Sequence, residues 1–360
     1  MSARRTVRRV WRRATLTPAA ALLVGIAGLI GMGIFLVFAP KAAAGGWLIA
    51  FLFWSGIPLG SLLALMIHAL TGGRWGYRFA PEFLTAAAAI PLMALLVVPV
   101  LAALPTFYPW VFGHGRAHAD VAAWYLNAPF FIGRTAIAFA AWTALAFLLP
   151  RLSGPAAPIV AGVGLIFYGL MICVLGYDWV LSLEPNFVST SFGATLAFVQ
   201  LASALAWAMV VARDDNDPAF ADIGGLLLAA LLGITYINFM AVLVTWYGDV
   251  PTRIFWFVER THWPWTLIAG LAFIFGSVAP IFSLFLGRWR ASPRALRVIG
   301  LMTLAGIALY DVYLVAPAFD VLALGAAALA LIVIGALFVA FLAMPWARAP
   351  LRRWRTLHGR

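Results

Sequence analysis

The chain has 360 residues, of which 65% are hydrophobic and only 10% charged. Soluble domains carry about 25% charged residues, so the composition excludes an ordinary water-soluble protein and makes a bilayer the expected solvent. The net charge of +12 does not require a nucleic-acid partner. The arginines gather at the termini and between apolar runs, where anionic lipid and the positive-inside bias account for them.

The opening residues, MSARRTVRRVWRR, belong to a basic N-terminal segment (1–15). The apolar run that follows is long enough to span and has no clear small-x-small cleavage site before a soluble domain, so a retained first helix is expected rather than a signal peptide. Ten such runs follow in order: 16–39, 47–70, 83–107, 128–150, 157–180, 188–212, 223–247, 263–287, 296–317 and 321–345. Each is near the 20 residues a membrane helix needs. Pro, Gly and charged residues separate them, as in Thr71-Gly72-Gly73-Arg74 and Arg151-Leu152-Ser153-Gly154-Pro155. Strand-like alternation is absent, which predicts an all-α polytopic membrane protein. A basic segment (346–360) closes the sequence.

Charge sets the expected orientation. Nineteen of the 24 Lys and Arg fall on the side of the two termini, and four (Lys41, Arg116, Arg253, Arg260) on the other, with Arg134 inside a run. Both termini are therefore expected in the cytoplasm. Segments 108–127, 178–187 and 248–262 then face outward and are too short for a soluble catalytic domain.

Tyr177-Asp178-x-x-Leu181 at the end of the fifth run is echoed by Tyr310-Asp311-x-x-Leu314 in the ninth. Two stacked four-helix bundles would put these acids in equivalent places. The first bundle would cover about 47–180, the second about 188–317, with the first and tenth helices peripheral.

Polar side chains inside the runs are few, and each has a functional and a structural reading. Arg134, Asp178 and Asp311 could line an outward-opening pocket or proton path, with Glu184 beside them. Alternatively, Arg134 and Asp178 form an ion pair that ties two helices, or Asp178 hydrates at the interface. The seventh run carries Thr235, Asn238 and Thr245 on one face. His68 is either an inner proton intake or an interfacial histidine bonded to a loop carbonyl. No second histidine lies within a run, which argues against haem ligation. His114, His118 and His262 match no strong zinc spacing. The one cysteine, Cys173, rules out an internal disulfide and Cys-rich clusters.

Several pieces carry a family resemblance. They are Phe53-Trp54-Ser55-Gly56, His68-Ala69-Leu70-Thr71-Gly72-Gly73-Arg74-Trp75-Gly76, Trp124-Tyr125-Leu126-Asn127-Ala128-Pro129-Phe130-Phe131-x-x-Arg134, Asp178-Trp179-x-x-Ser182-Leu183-Glu184-Pro185, Ser189-Thr190-x-Phe192-Gly193 and Trp246-Tyr247-Gly248-Asp249-x-Pro251. Over roughly residues 46–265 the chain resembles the second membrane subunit (ActF type) of bacterial alternative complex III, itself similar to the NrfD-like membrane subunits of polysulphide reductases. It departs from that pattern at Ala69, where a second histidine is common, and at Thr252-Arg253, where acids are usual.

The resemblance implies a ten-helix subunit of a quinol:electron acceptor oxidoreductase in the bacterial inner membrane, with no cofactor of its own and quinol as a possible ligand. Haem and iron–sulphur clusters would sit on partner subunits: a multihaem cytochrome c and an iron–sulphur protein on the outer face, beside a sister quinol-oxidising membrane subunit. Arg134, Asp178, Asp311, His68, Glu184, Asn238 and Thr245 are the candidates for a proton path or a quinone pocket, with proton conduction the contribution the resemblance suggests. A stand-alone secondary transporter and a purely structural scaffold are the alternatives.

Overall fold

The computed structural model describes residues 17–112, 124–184, 187–212, 217–248 and 251–358, without the side chains of 251–253 and 357–358. No strand occurs among the described residues. Ten helices are long and apolar enough to cross a bilayer, so the chain is an all-α, multi-pass membrane protein.

In chain order the spanning helices are α1 (Pro18–Phe38), α2 (Pro40–Thr71), α3 (Arg74–Ala102), α4 (Ala128–Arg151), α5 (Ala156–Leu183), α6 (Phe192–Val211), α7 (Ala219–Gly248), α9 (Trp265–Phe285), α10 (Pro293–Ala318) and α11 (Leu322–Leu342). Two shorter helices flank them: α8 (Pro251–Glu259) and α12 (Ala349–His358). Thr17, Asn127 and Ser292 cap α1, α4 and α10 by accepting from backbone N–H groups three residues on, each with proline in the first turn. A side-chain oxygen plus a residue with no N–H to satisfy is an efficient helix start.

Two boundaries differ from the sequence expectation. Only Ala39 separates α1 from α2, because Pro40 starts a new helix as readily as it ends the old one; Lys41 therefore sits in a first helical turn and not in a loop. Helix α3 begins at Arg74, nine residues before the expected start. Its first turns, RWGYRFAPEF, look like a loop by charge. They are helical because the apolar face of Trp75, Phe79 and Phe83 is buried, while Arg74 and Arg78 reach Asp222 and Asp217 at the start of α7.

Helices α2, α3, α4 and α5 close one four-helix bundle; α6, α7, α9 and α10 close another. Helix α11 lies along α2, and α1 lies on α11 with its outer side exposed. Helix α2 is the common wall: 94% of its apolar window is buried, against 17% for α1.

That wall depends on small residues. A Cβ at Gly60 would stand 1.8 Å from the Gln200 carbonyl oxygen of α6. Gly56, one turn away, faces Ser203. Two glycines four apart bring helix backbones together where no apolar driving force distinguishes helix from lipid. At the same seam the Tyr168 hydroxyl of α5 donates to Gln200 Oε1 at 2.6 Å.

Candidate functional site

The polar groups concentrate where α5 passes to α6. Helix α5 runs to Trp179, tightens into a 3-10 turn over Leu181–Leu183, and α6 begins at Phe192. Ser182 Oγ donates to the Asp178 carbonyl at 2.5 Å, consuming an acceptor the fraying helix end would leave open.

Arg134 and Asp178 form one centre. Arg134 Nε and Nη2 donate to Asp178 Oδ2 and Oδ1 at 2.7 and 3.0 Å. The Asp178 side chain is fully buried and that of Arg134 is 15% exposed. Arg134 Nη1 and Nη2 each donate to the Tyr125 carbonyl at 3.1 Å, and the guanidinium lies 4.1 Å from the centre of the Tyr125 ring. Four of the five guanidinium hydrogens thus have acceptors, close to what a buried pair requires. Asp178 does not hydrate at an interface within this chain. Around the pair, the Tyr108 hydroxyl donates to the Trp179 carbonyl at 3.1 Å. Burial, then the Asp178 charge, pushes the Tyr108 and Tyr125 phenols up, so both stay neutral around the pair.

A second centre holds the other bundle, and sequence reasoning missed its cation. Arg260 is 2% exposed, although its neighbours Glu259 and Thr261 made it look like a loop residue. It donates through Nη2 to Glu184 Oε1 at 2.5 Å and through Nη1 to Oε2 at 3.3 Å. It also donates to the carbonyls of Trp256, Tyr313 and Leu314 at 3.0–3.3 Å. Its guanidinium covers the Trp256 ring at 3.7 Å, and Trp256 stacks on Phe187 at 4.4 Å and 15°. The one signal available beforehand was Trp256 four residues earlier, which on helical spacing shares a face with Arg260.

Asp311 belongs to neither centre. It is 2% exposed, and its Oδ2 has no hydrogen-bond partner among the described residues. Thr303, two turns earlier, is fully buried with an equally unpartnered Oγ1. The repeated Tyr-Asp motif therefore yields two buried acids in opposite circumstances, one clamped and one bare.

Arg134, Asp178 and Asp311 are the residues expected at an outward-opening pocket or proton path. A cavity of about 490 Å³ lies inside the second bundle, among α6, α7, α9 and α10, and none of the three lines it. Phe187 and Trp256 lie at its α5–α6 end, and Thr235 and Asn238 point into it. Thr245, expected on the same face, does not line it and turns its hydroxyl to the Ala241 carbonyl. Tyr310 donates to Asn238 Oδ1 at 3.0 Å across the cavity. Beside it, α9 widens into a π turn over Ile274–Val278. That turn lets Gly276 abut Gly306 of α10, where a Cβ would meet the Gly276 nitrogen at 2.1 Å. Such turns concentrate at functional sites.

At the opposite end, His68 Nδ1 lies 3.0 Å from the Gly72 carbonyl and its ring packs edge-on to Trp75 and Tyr77. This is the loop-carbonyl arrangement. Nearby, Arg78 pairs with Glu82 at 3.8 Å and with Asp217 at 3.7 Å. Glu82, absent from the sequence candidates, lies about two turns into α3. No three His, Cys, Asp or Glu converge as metal ligands among the described residues. His114, His118, Asp249 and the side chains of Thr252 and Arg253 lie outside the described residues.

No protein-family model matches the chain, and no curated protein matches it.

Proposed function

We propose that the chain is an integral membrane subunit of a bacterial quinol:electron acceptor oxidoreductase of the alternative complex III kind. In this reading it sits in the inner membrane with both termini in the cytoplasm, next to a sister quinol-oxidising subunit. Its α5–α6 end faces outward and receives multihaem cytochrome c and iron–sulphur subunits, and the chain itself holds neither haem nor cluster. The excess of Lys and Arg on the side of the termini supports that orientation, and the motif resemblance supports the choice of complex.

The observation that carries the reading is the contrast between the two acids. Arg134 fixes Asp178 in one geometry, which braces the hinge between bundles. Asp311 is buried, and its Oδ2 has no hydrogen-bond partner among the described residues. An ionisable group kept inside a membrane protein without a structural partner is retained for function, and a carboxyl that can take and release a proton is what quinol oxidation needs. The test is affinity purification of the tagged chain from native membranes, followed by haem staining and mass spectrometry. Cytochrome, iron–sulphur and second membrane subunits are expected to copurify; isolation of the chain alone overturns the reading.

One observation favours a second reading, a secondary transporter. The π turn of α9 interrupts a spanning helix beside a cavity, and transporters place binding sites at interrupted helices. Solute uptake into liposomes holding this chain by itself would decide for it.

A further inference from the structure

We infer that the connection between α9 and α10 holds an anionic phospholipid of the phosphatidylglycerol class, its phosphodiester on Arg288 and Arg290 and its chains on the exposed apolar faces beside them. The site is independent of the redox role proposed above. It would anchor the turn between these two helices in the bilayer.

Charge is one-sided here. From Gly287 to Arg297 the chain carries four arginines and no acid, and the next acid along the chain is Asp311. One of the four is spent inside the protein: Arg297 donates through Nε and Nη2 to the Val210 and Ala212 carbonyls at 3.3 and 3.2 Å, closing the end of α6. Arg290 lays its stem against α7, where a Cβ at Gly224 would stand 2.7 Å from its Cγ. Asp222, two residues before that contact, is already paired with Arg74 at 3.4 Å. Arg288 and Arg290 make no ion pair among the described residues. Guanidinium groups without a carboxylate are open to phosphate, whose oxygens match the planar fork of their hydrogens.

The flanks fix the depth. Phe282 and Phe285 of α9 are 68% and 61% exposed, and Val298 and Leu301 of α10 are exposed as well. On spanning helices such faces meet acyl chains. Arg288 follows Phe285 by three residues, and Arg294 precedes Val298 by one helical turn, about 5 Å. The arginines therefore stand where acyl chain gives way to headgroup. Trp289, exposed between Arg288 and Arg290, is the residue type that settles at that level. These flanks also choose the ligand. An acidic peptide would meet the charge and leave the apolar faces bare, whereas a phospholipid covers both. A choline or ethanolamine head brings a cation of its own, and this segment offers no acid to receive it. A phosphodiester whose head carries no cation fits, and arginine clusters beside a spanning helix attract such lipids.

The test uses the full chain as purified from native membranes and transferred to nanodiscs. Phosphatidylglycerol with a photoactivatable diazirine in one acyl chain is the probe, and adducts are mapped by mass spectrometry. Adducts are expected within 282–301, well above those left by the matching phosphatidylcholine probe. Unlabelled phosphatidylglycerol should displace them and inorganic phosphate should not. Arg288→Gln, at an exposed position, should lower this labelling about fivefold, and Arg288→Gln with Arg290→Gln about tenfold or more. Arg353→Gln with Arg355→Gln removes the same charge from α12, which packs on α3 and the end of α4, and should leave the labelling unchanged. Equal labelling by phosphatidylcholine would mean unselective contact with surrounding lipid. Equal loss from the α12 pair would mean a diffuse positive surface, and displacement by inorganic phosphate a site for free anions. Each of these results would overturn the inference.

Discussion

Removing Arg134 should destabilise the protein more than neutralising Asp178, and removing both should cost less than the sum. Two unit charges about 4 Å apart attract by about 4 kcal/mol at an effective dielectric near 20, and breaking a buried pair from one side costs about 3–5 kcal/mol. Arg134→Leu leaves a fully buried carboxylate without a cation, so it should reach about 4 kcal/mol. In Asp178→Asn the cation keeps the Tyr125 carbonyl, the Tyr125 ring and its 15% exposure to solvent. That loss should be about 2 kcal/mol. With Arg134→Leu/Asp178→Leu neither charge remains, and the double variant should fall short of the summed losses by about 2 kcal/mol or more. The assay is unfolding in mixed micelles by SDS titration, followed by tryptophan fluorescence. Additivity within about 0.5 kcal/mol, or equal losses for the two single variants, would refute the account of the pair as mutual neutralisation.

Three further outcomes are expected. Gly60→Ala drives a methyl into the Gln200 carbonyl, 1.8 Å away, and should cost about 3 kcal/mol or more. Gly162→Ala, with nothing within 4 Å, should gain a few tenths to about 1 kcal/mol from helix propensity; the same SDS titration reads both. Asp311→Asn should keep the complex assembled while lowering proton release per quinol oxidised, measured with a pH dye outside sealed vesicles; unchanged release and turnover would leave the purely structural scaffold as the role of this chain. Tyr108 and Tyr125 have phenols raised by burial and by Asp178. Their stabilisation is therefore complete below the unfolded value of about 10 and is lost as pH rises beyond it. Stability should hold flat to about pH 9 and then fall, with the phenolate absorbance that Tyr108 and Tyr125 contribute near 295 nm appearing only as the protein unfolds.

The ten helices were legible because a bilayer demands long apolar runs, and that demand overrides most local propensity. The start of α3 was not, because Arg74 and Arg78 read as loop until their partners Asp222 and Asp217, at the start of α7, are known. The Arg134–Asp178 pair was within reach, since both charges interrupt apolar runs at the same end. Arg260 was hidden because its partner, Glu184, lies 76 residues away and both sit in short polar connections that resemble solvated loops. The cavity has no linear signature at all. It arises where four helices each turn a few small or aromatic residues inward, and where a π turn in α9 opens space beside Gly276.

The burial of α2 on every side has a consequence for how the protein is made. The Trp54 indole nitrogen donates to the Leu331 carbonyl of α11, 277 residues later. At a synthesis rate of roughly 5–20 residues per second, that acceptor leaves the ribosome about 14–55 s after the indole. For that interval the second helix to reach the membrane stands among lipids with faces shaped for α6, α10 and α11. The helix that ends as the most enclosed part of the structure therefore gains its last contacts only when the final spanning helix is made.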